Sequence, residues 1–249
     1  AAMFARVNYN YAEKYLASVS LRREGSSRFG ANNKWGWFPA VSLGWRLNKE
    51  SWFEDAANLS DLKLRAGFGV TGNQDFSSYK SLLLMDPFSF YYYDGKWVTS
   101  YAPASNPNPN LAWERKNEFN VGVDFAFFGN RFGGTLDYYY RLTTNLLYNY
   151  TVPVPPYDYG TIFTNVGSIC NQGLELTLFG TPVQKKNVEW NTTLTLAKNS
   201  NKLIKFTNDE FTAGEYKVGY MSTPIGSYSQ RLIEGHSLGT FYAPIWTGV

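Results

Sequence analysis

Eight stretches of the sequence alternate apolar and polar side chains with a period of two residues. In residues 62–70, the even positions carry Leu, Ala, Phe and Val, whereas the odd positions carry Lys63, Arg65 and two glycines. Because successive side chains of a β-strand point to opposite faces, each stretch predicts a strand with one apolar and one polar face. The other seven stretches are residues 5–11, 15–22, 39–46, 118–125, 136–141, 173–178 and 190–196. No comparably long amphipathic helix is present, so the sequence predicts an all-β fold.

Gly67, Gly69 and Gly72 have the spacing G-x-G-x-x-G, which also occurs in dinucleotide-binding turns. In those turns the preceding strand is buried on both faces and therefore apolar throughout, and a helix follows the glycines. Here the preceding residues alternate, and residues 73–78 are turn-like with no apolar helix face close behind. We therefore assign the glycines to a strand that ends in a loop, and we predict no nucleotide site.

The connections between the predicted strands fall into two classes of length. Short or intermediate connections cover residues 12–14, 47–61, 127–130 and 181–187, whereas long polar connections with many aromatic residues cover about 24–34, 71–111, 143–167 and 199–225. If the strands run alternately up and down, all the long connections lie at one end, as in outer-membrane barrels. One or two further strands are expected between residues 226 and 248.

Full charges in the middle of strands indicate which face meets which solvent. Arg65, Asp124, Asp137 and Glu175 all fall on the polar side of their strands. An arginine turned towards lipid at the bilayer midplane costs about 2–4 kcal/mol, so we predict that these four residues face a water-filled lumen while the apolar side faces lipid. A soluble β-sandwich also hides one face of each strand, so the alternation by itself leaves that fold open.

The composition excludes several functional classes. The net charge of +3 is small and scattered, which argues against a nucleic-acid interface. One histidine, His236, and one cysteine, Cys170, cannot assemble a metal site of Cys or His ligands, and a catalytic triad would depend on His236 alone. The acidic pairs Glu54-Asp55 and Asp209-Glu210 lie in predicted links rather than across a cleft. We therefore predict that the chain is not an enzyme and holds no metal or cofactor.

Five longer stretches together resemble SusC/RagA-type TonB-dependent outer-membrane transporters. They follow one another from the first residues to the last: YNYAEKYLASVSLRREGSSRFGANNKWGWFPAVSLGWRL, LKLRAGFGVTGNQ, NPNLAWERKNEFNVGVDFAFFGNRFGGTLDYYYRLTTNLL, NVGSICNQGLELTL and EGHSLGTFYAPIWTGV. The resemblance implies an antiparallel transmembrane β-barrel of 22 strands, a plug domain inside it and a TonB box. Residues 1–249 supply only about eight to ten strands, so we expect a partial barrel domain, with the plug and the TonB box outside this segment.

The same resemblance implies a function in the bacterial outer membrane. It is TonB-dependent active import of oligosaccharides or oligopeptides, together with a SusD-like surface lipoprotein. TonB would act through the plug, and outer-membrane lipid would surround the barrel. Two alternatives remain open at this point: a soluble carbohydrate-binding β-sandwich, and a small outer-membrane barrel that acts as an adhesin.

Aromatic residues in two of the long connections are candidates for contact with a ligand or a partner. One set lies in residues 71–111 and comprises Tyr91, Tyr92, Tyr93, Trp97 and Tyr101. The other lies in residues 143–167 and comprises Tyr157 and Tyr159. Exposed aromatic rings can stack on sugars, hold peptides or pack against a partner lipoprotein, but they can also form the core of the loop itself.

Overall fold

The computed structural model of the chain describes residues 1–53, 58–207, 215–224, 226–243, 245 and 247–248. Two 3₁₀ turns lie at Leu47–Lys49 and Ser51–Phe53, and no helix in the described part of the chain is long and apolar enough to cross a membrane. The strands are β1 (Ala2–Tyr11), β2 (Tyr15–Gly25), β3 (Trp35–Arg46), β4 (Leu59–Asn73), β5 (Met85–Tyr93), β6 (Lys96–Pro103), β7 (Glu114–Phe127), β8 (Phe132–Thr144), β9 (Leu147–Thr151), β10 (Thr161–Asn165), β11 (Ser168–Lys185), β12 (Val188–Lys205), β13 (Glu215–Met221), β14 (Ser227–Ile233) and β15 (Thr240–Phe241).

Eight strands form one large antiparallel sheet, which we call the wall sheet. Its order is β1-β2-β3-β4-β7-β8-β11-β12, so each strand pairs with the wall strand next to it in the sequence. Each of the eight alternating stretches lies within one of these strands, which confirms the prediction of an antiparallel all-β fold. Gly67, Gly69 and Gly72 all lie in β4, which confirms their assignment to a strand.

The long connections contain small sheets of their own, which the sequence did not predict. β5 pairs with β6 and β9 pairs with β10, each pair forming an isolated two-stranded sheet. The strands expected between residues 226 and 248 are β14 and β15, but they form a separate sheet in the order β13-β14-β15 and do not extend the wall. The acidic pairs Glu54-Asp55 and Asp209-Glu210 lie outside the described residues.

The two ends of the wall sheet differ as predicted. At one end, the short-turn end, strands are joined by residues 12–14, 47–58, 128–131 and 186–187. At the other, the long-loop end, the connections are residues 26–34, 74–113 and 145–167. His236 also lies near the long-loop end, in the turn between β14 and β15, where its backbone carbonyl accepts a hydrogen bond from the Leu203 N–H.

The apolar face of the wall sheet has no second layer against it in the described part of the chain. Val19, Leu43, Leu174 and Leu196 lie in four different strands of this face, and each is 51–56% exposed. In a β-sandwich, side chains from a second sheet would interdigitate with such a face and bury it. The structure therefore does not support the soluble-sandwich alternative.

Buried apolar residues are concentrated near the long-loop end, in two clusters. The mouth cluster consists of Phe29, Phe38, Val70, Leu111 and Trp113, and the side cluster consists of Tyr150, Val152, Ile162, Val166, Leu203 and Phe206. The alternation of β4 places Val70 on the apolar face with Phe68, yet Val70 is buried. The pairing of β3 with β4 stops at Ala40 and Gly69, and the mouth cluster packs beyond that point.

A single carboxylate organises the short-turn end. Glu50 accepts hydrogen bonds from the Tyr15 hydroxyl at 3.0 Å and from Trp45 Nε1 at 2.8 Å, and it forms an ion pair with Lys14 Nζ at 2.5 Å. The bond from Lys14, followed by those from the aromatic donors, lowers the pKa of Glu50 to about 2 despite its partial desolvation. Around this group, the rings of Tyr11, Tyr15, Trp45 and Trp52 follow one another at centroid separations of 6.3–6.4 Å.

We expect Glu50→Gln to destabilise the protein at neutral pH. The folded-state pKa of Glu50 lies below its ordinary value of 4.5, so its contribution to stability is fully present above about pH 4.5 and is lost as the pH falls towards 2. The variant should therefore unfold at a lower temperature at pH 7 and lose part of the acid sensitivity of the parent. Thermal unfolding in detergent between pH 2 and 7 measures both effects.

Glu13→Gln is the control, since the Glu13 side chain is 68% exposed and lies 3.7 Å from Lys49. An equal effect of both variants would contradict the role of Glu50.

Candidate functional site: the polar face and the long-loop end

Three of the four charged residues predicted on the polar face form one ion-pair network. Arg65 Nε donates to both carboxylate oxygens of Asp124 at 2.9 Å, and Arg65 Nη2 lies 2.7 Å from Asp124 Oδ1 and 2.9 Å from Asp137 Oδ1. The side chains of the three residues are 26–35% exposed, so the network is partly desolvated but remains open to water. The prediction that these residues share a face is consistent with this geometry.

A glycine makes this network possible. In the register of the sheet, Arg65 on β4 lies opposite Gly122 on β7, which in turn lies opposite Asp137 on β8. A Cβ atom at position 122 would overlap the Asp137 carboxylate and lie 3.0 Å from Arg65 Nη2. Because Gly122 has no side chain, Arg65 can reach across β7 to the Asp137 carboxylate, two strands away.

Glu175, the fourth predicted residue, extends the same row without joining the network. It lies opposite Asp137 in the pairing of β8 with β11, and its side chain is exposed. A second ion pair on this face lies closer to the long-loop end, where Arg141 Nε is 3.0 Å from Glu118 Oε2. The row from Arg65 to Glu175 thus carries one positive and two negative groups, whereas Asp124 lies in the next row, opposite Lys63.

The five aromatic candidates of residues 71–111 lie on a protruding hairpin, β5–β6. A two-residue turn at Asp94 and Gly95, both with positive φ, joins the strands, which is the geometry that twisted hairpins prefer. The rings of Tyr92 and Trp97 meet edge to face at 5.5 Å. Exposure of the five side chains is high: Tyr91 50%, Tyr92 63%, Tyr93 67%, Trp97 70% and Tyr101 60%. These rings therefore do not form a loop core among the described residues, and the surface they make is available for contact.

The two aromatic candidates of residues 143–167 are placed differently from each other. Tyr157 is half-buried and packs against the side cluster. Tyr159 is 43% exposed, and its backbone is fixed by hydrogen bonds to Asn106. A role for either ring in ligand or partner contact remains a prediction, and Tyr159 is the more accessible of the two.

Buried asparagines, which the sequence reasoning missed, hold the long loops together. Asn106 is only 3% exposed; its side-chain oxygen accepts from the N–H groups of Asp158 and Tyr159, and its Nδ2 donates to the carbonyls of Tyr159 and Thr161. Asn108 Nδ2 donates to the Phe163 carbonyl at 3.0 Å. We call this set of bonds the asparagine clasp. Its sequence signal is the run Asn-Pro-Asn-Pro-Asn at 106–110, because proline supplies no N–H and fixes φ, which leaves the asparagine side chains to make the contacts.

The same run is also bound by the loop between β2 and β3. Asn33 Nδ2 donates to the Asn110 carbonyl at 2.9 Å, and the Gly30 N–H donates to the Leu111 carbonyl at 2.9 Å. Any Cβ atom at position 30 would overlap the Pro109 carbonyl, so glycine is required for this approach. Three loops, residues 26–34, 104–113 and 145–167, are therefore tied into one assembly over the mouth cluster.

Comparison with known proteins identifies this architecture. The sequence profile of the family described as "TonB dependent receptor-like, beta-barrel" matches residues 1–245. The chain belongs to the TonB-dependent receptor β-barrel family. It is 34% identical over 243 residues to TonB-dependent receptor P39 of Formosa agariphila, covering 97% of this chain and 22% of the relative. It is 32% identical to TonB-dependent receptor SusC of Bacteroides thetaiotaomicron, covering 91% of this chain and 25% of SusC.

Solved structures agree with the sequence matches. The RagAB peptide importer in its "open-open" state superposes with a TM-score of 0.81 at 27% identity, covering 96% of this chain and 24% of the other chain. Its "closed-closed" state gives a TM-score of 0.80. The siderophore receptor PirA of Pseudomonas aeruginosa, at a TM-score of 0.51 and 17% identity, shares the fold alone.

These matches confirm the resemblance to SusC/RagA-type receptors. The chain is therefore an outer-membrane protein, and the wall sheet is part of an antiparallel transmembrane β-barrel. It spans about a quarter of the length of the receptors it matches. In barrels of this family the short turns face the periplasm and the long loops face the exterior.

We expect Arg65→Gln to destabilise the receptor wall by about 1–3 kcal/mol, between the values typical of exposed and of buried ion pairs. The substitution leaves Asp124 and Asp137 close together without a cation, and their repulsion adds to the lost hydrogen bonds. Denaturant unfolding in detergent measures the change. Lys63→Gln, on the same face of the same strand, is the matched control. Adding Asp124→Asn and Asp137→Asn to Arg65→Gln should recover part of the loss; no recovery would contradict the electrostatic explanation.

We expect Asn106→Ala to open the asparagine clasp locally. The loss of a fully satisfied buried amide costs roughly 1–3 kcal/mol, which corresponds to about 5- to 150-fold faster hydrogen exchange at the amides it bonds. The amides to follow are those of Asp158 and Tyr159, which donate to Asn106. Asn110→Ala is the control, because Asn110 is exposed and its side-chain oxygen accepts one exposed bond, from Asn32. Unchanged protection in Asn106→Ala would show that the loops are held by the apolar clusters alone.

Proposed function

We propose that the chain forms part of the barrel wall and the outer mouth of a TonB-dependent importer of oligosaccharides or oligopeptides. The observation that carries this proposal is the match to SusC/RagA-type receptors along nearly the whole chain, together with a structural neighbour that is named as a peptide importer. Energy would reach the barrel through a plug domain and TonB, neither of which is assigned to residues 1–249. No enzymatic activity, metal or cofactor forms part of the proposal.

The polar face of the wall sheet is proposed to line the channel of this importer. An apolar face with half-exposed Leu and Val across several strands suits the acyl chains of a bilayer, and the charged row from Arg65 to Glu175 suits water. In the described residues, β1 pairs only with β2 and β12 pairs only with β11. Unpaired backbone groups in lipid cost several kcal/mol each, so we infer that further strands complete the barrel to the 22 that the resemblance implies.

The long-loop end is proposed to meet substrate and a SusD-like surface lipoprotein. The asparagine clasp fixes the loops around the mouth cluster, and the β5–β6 hairpin projects five aromatic rings from this fixed base. Exposed Tyr and Trp side chains dominate the energetics of protein interfaces and also stack on sugar rings.

Substitution of the hairpin rings tests this assignment in the full-length receptor. We expect Tyr92→Ala combined with Trp97→Ala to weaken capture of the lipoprotein by about 30-fold or more, because a central aromatic contact is worth about 2 kcal/mol or more. Co-purification of the tagged lipoprotein with the receptor measures this effect. The control is Tyr220→Ala combined with Tyr228→Ala, an exposed aromatic pair at 5.2 Å on the separate sheet of β13 and β14.

Two further outcomes are distinguishable in the same experiment. If the lipoprotein is retained but binding of an oligosaccharide or oligopeptide is lost, the hairpin contacts substrate directly. If neither changes, the hairpin is not part of the mouth that we propose. The import function itself is tested separately, by uptake of labelled oligosaccharide and oligopeptide mixtures with and without TonB; TonB-independent uptake would overturn it.

A further inference from the structure

One arginine lies on the apolar face of the wall sheet rather than on the polar face. Arg23 on β2 is opposite Met3 on β1 and Trp37 on β3, and it shares the side of Leu21 and Val19. Its guanidinium lies 4.6 Å from the ring centroid of Trp35 and 5.1 Å from that of Trp37. Both tryptophans are about half exposed, at 50% and 49%. The neighbouring Arg22 points to the opposite face, where it forms an ion pair with Glu24 at 2.6 Å.

Arg23 has no anionic partner in the described part of the chain. Its Nε is buried and makes no hydrogen bond, whereas Arg22, Arg65 and Arg141 each pair with a carboxylate. A guanidinium is always charged and has five N–H donors, so a partly desolvated one without an acceptor is costly. Arg115 on β7 adds a second positive group nearby, because its Nη2 donates to the Trp37 carbonyl at 3.0 Å. This corner of the wall therefore holds two guanidinium charges that form no ion pair with a carboxylate among the described residues.

The position of Arg23 indicates what kind of anion could reach it. The residue lies two positions before the end of β2 at the long-loop end, and the outward residues below it are Leu21, Val19 and Ala17. In a barrel of this family, that is where the outer leaflet meets water, and tryptophan is enriched at that depth. Arginine pairs with phosphate through two parallel hydrogen bonds and also stacks on aromatic rings.

An apolar depression lies below Arg23 on the same face. The small residues Ala17 and Ala66 lie in one cross-strand row, on either side of Leu43. The same row continues through Tyr9 on one side and through Val121, Tyr138 and Leu174 on the other. With Trp45 and Leu64 of the next row towards the short-turn end, these side chains line an open depression of about 880 Å³. From Arg23 to Ala17 the strand rises about 20 Å, which at the usual tilt of about 40° is roughly 15 Å of depth, or one leaflet.

We propose that this part of the wall binds a phosphorylated lipid of the outer leaflet. Its phosphate accepts hydrogen bonds from Arg23 between Trp35 and Trp37, and one acyl chain runs down β2 and β3 into the depression at Ala17 and Ala66. The guanidinium charge without a carboxylate partner and the apolar depression below it point to an amphiphile rather than to a free anion. This proposal rests on the outer-membrane fold of the chain and is independent of what the receptor imports.

The test compares Arg23→Gln with Arg22→Gln, which removes the same charge one residue away on the opposite face. The full-length receptor, in a non-ionic detergent, is titrated with bisphosphorylated lipid A, with the same lipid after removal of its phosphates, and with inorganic phosphate. Native mass spectrometry counts the bound lipid and also shows that each variant is folded. We expect Arg23→Gln to weaken binding of the phosphorylated lipid about tenfold or more, as for loss of a charged hydrogen bond, and Arg22→Gln to change it by less than about twofold.

A second variant tests the acyl-chain part of the proposal. Ala17→Phe fills the depression without changing any charge, so it should also weaken lipid binding while leaving Arg23 in place. Lipid with brominated acyl chains should quench the fluorescence of Trp45, which lines the depression, in the parent more than in Ala17→Phe. The proposal is overturned if Arg23→Gln binds like the parent, if the phosphate-free lipid binds equally well, or if millimolar inorganic phosphate displaces the lipid, since a small anion would then be the true ligand.

Discussion

The structure depends on the fixed register of eight antiparallel strands. Because side chains alternate with a period of two, a slip of one residue in any strand would move its charged row to the apolar face and its Leu and Val to the polar face. The ion pairs on the polar face also depend on this register. Arg65 reaches Asp137, its second carboxylate partner, only because Gly122, which lies between them in the row, has no side chain. The ladder of backbone hydrogen bonds thus determines which solvent each face meets, and the ion pairs on the polar face reinforce it.

The wall could be predicted from sequence because its information is local. Each strand carries its own alternation, so the eight stretches were found without knowledge of their partners. Arg65, Asp124 and Asp137, predicted on one face, form ion pairs with one another, and their position in a lumen stays a prediction. The loop assembly could not be predicted in the same way. Asn106 forms hydrogen bonds with residues that are 52 to 55 positions away in the sequence, and no local pattern around Asn106 indicates which residues these are. The burial of Val70 was not predicted for a related reason, since the pairing of β3 with β4 stops next to it and residues of distant loops pack there. The position of Arg23 could also be predicted from the sequence, because it follows Val19 and Leu21 at a spacing of two and therefore falls on the apolar face of β2.

The long-loop end combines a fixed base with an exposed tip. Buried amides and two aromatic-rich clusters hold the loops against one another, whereas the aromatic side chains of the β5–β6 hairpin are exposed to solvent over half or more of their surface. Such a division suits recognition, because a rigid base limits the entropy lost when the tip binds. The chain matches the open-open and closed-closed states of RagAB almost equally well, with TM-scores of 0.81 and 0.80. This similarity indicates that the fold of the wall and its loop base is common to both states.

The two longest strands, β11 and β12, have a mechanical consequence. Each has 18 residues, so their shared ladder is about 60 Å long, and at a tilt of about 40° it rises roughly 45 Å against a hydrocarbon layer of about 30 Å. About 15 Å of paired ribbon therefore stands clear of the bilayer, and the side cluster packs at its far end around Leu203 and Phe206. Because many backbone hydrogen bonds join the two strands, a force applied to this region would not bend it easily. We expect the protruding ribbon to be stiff and to transmit such a force into the barrel.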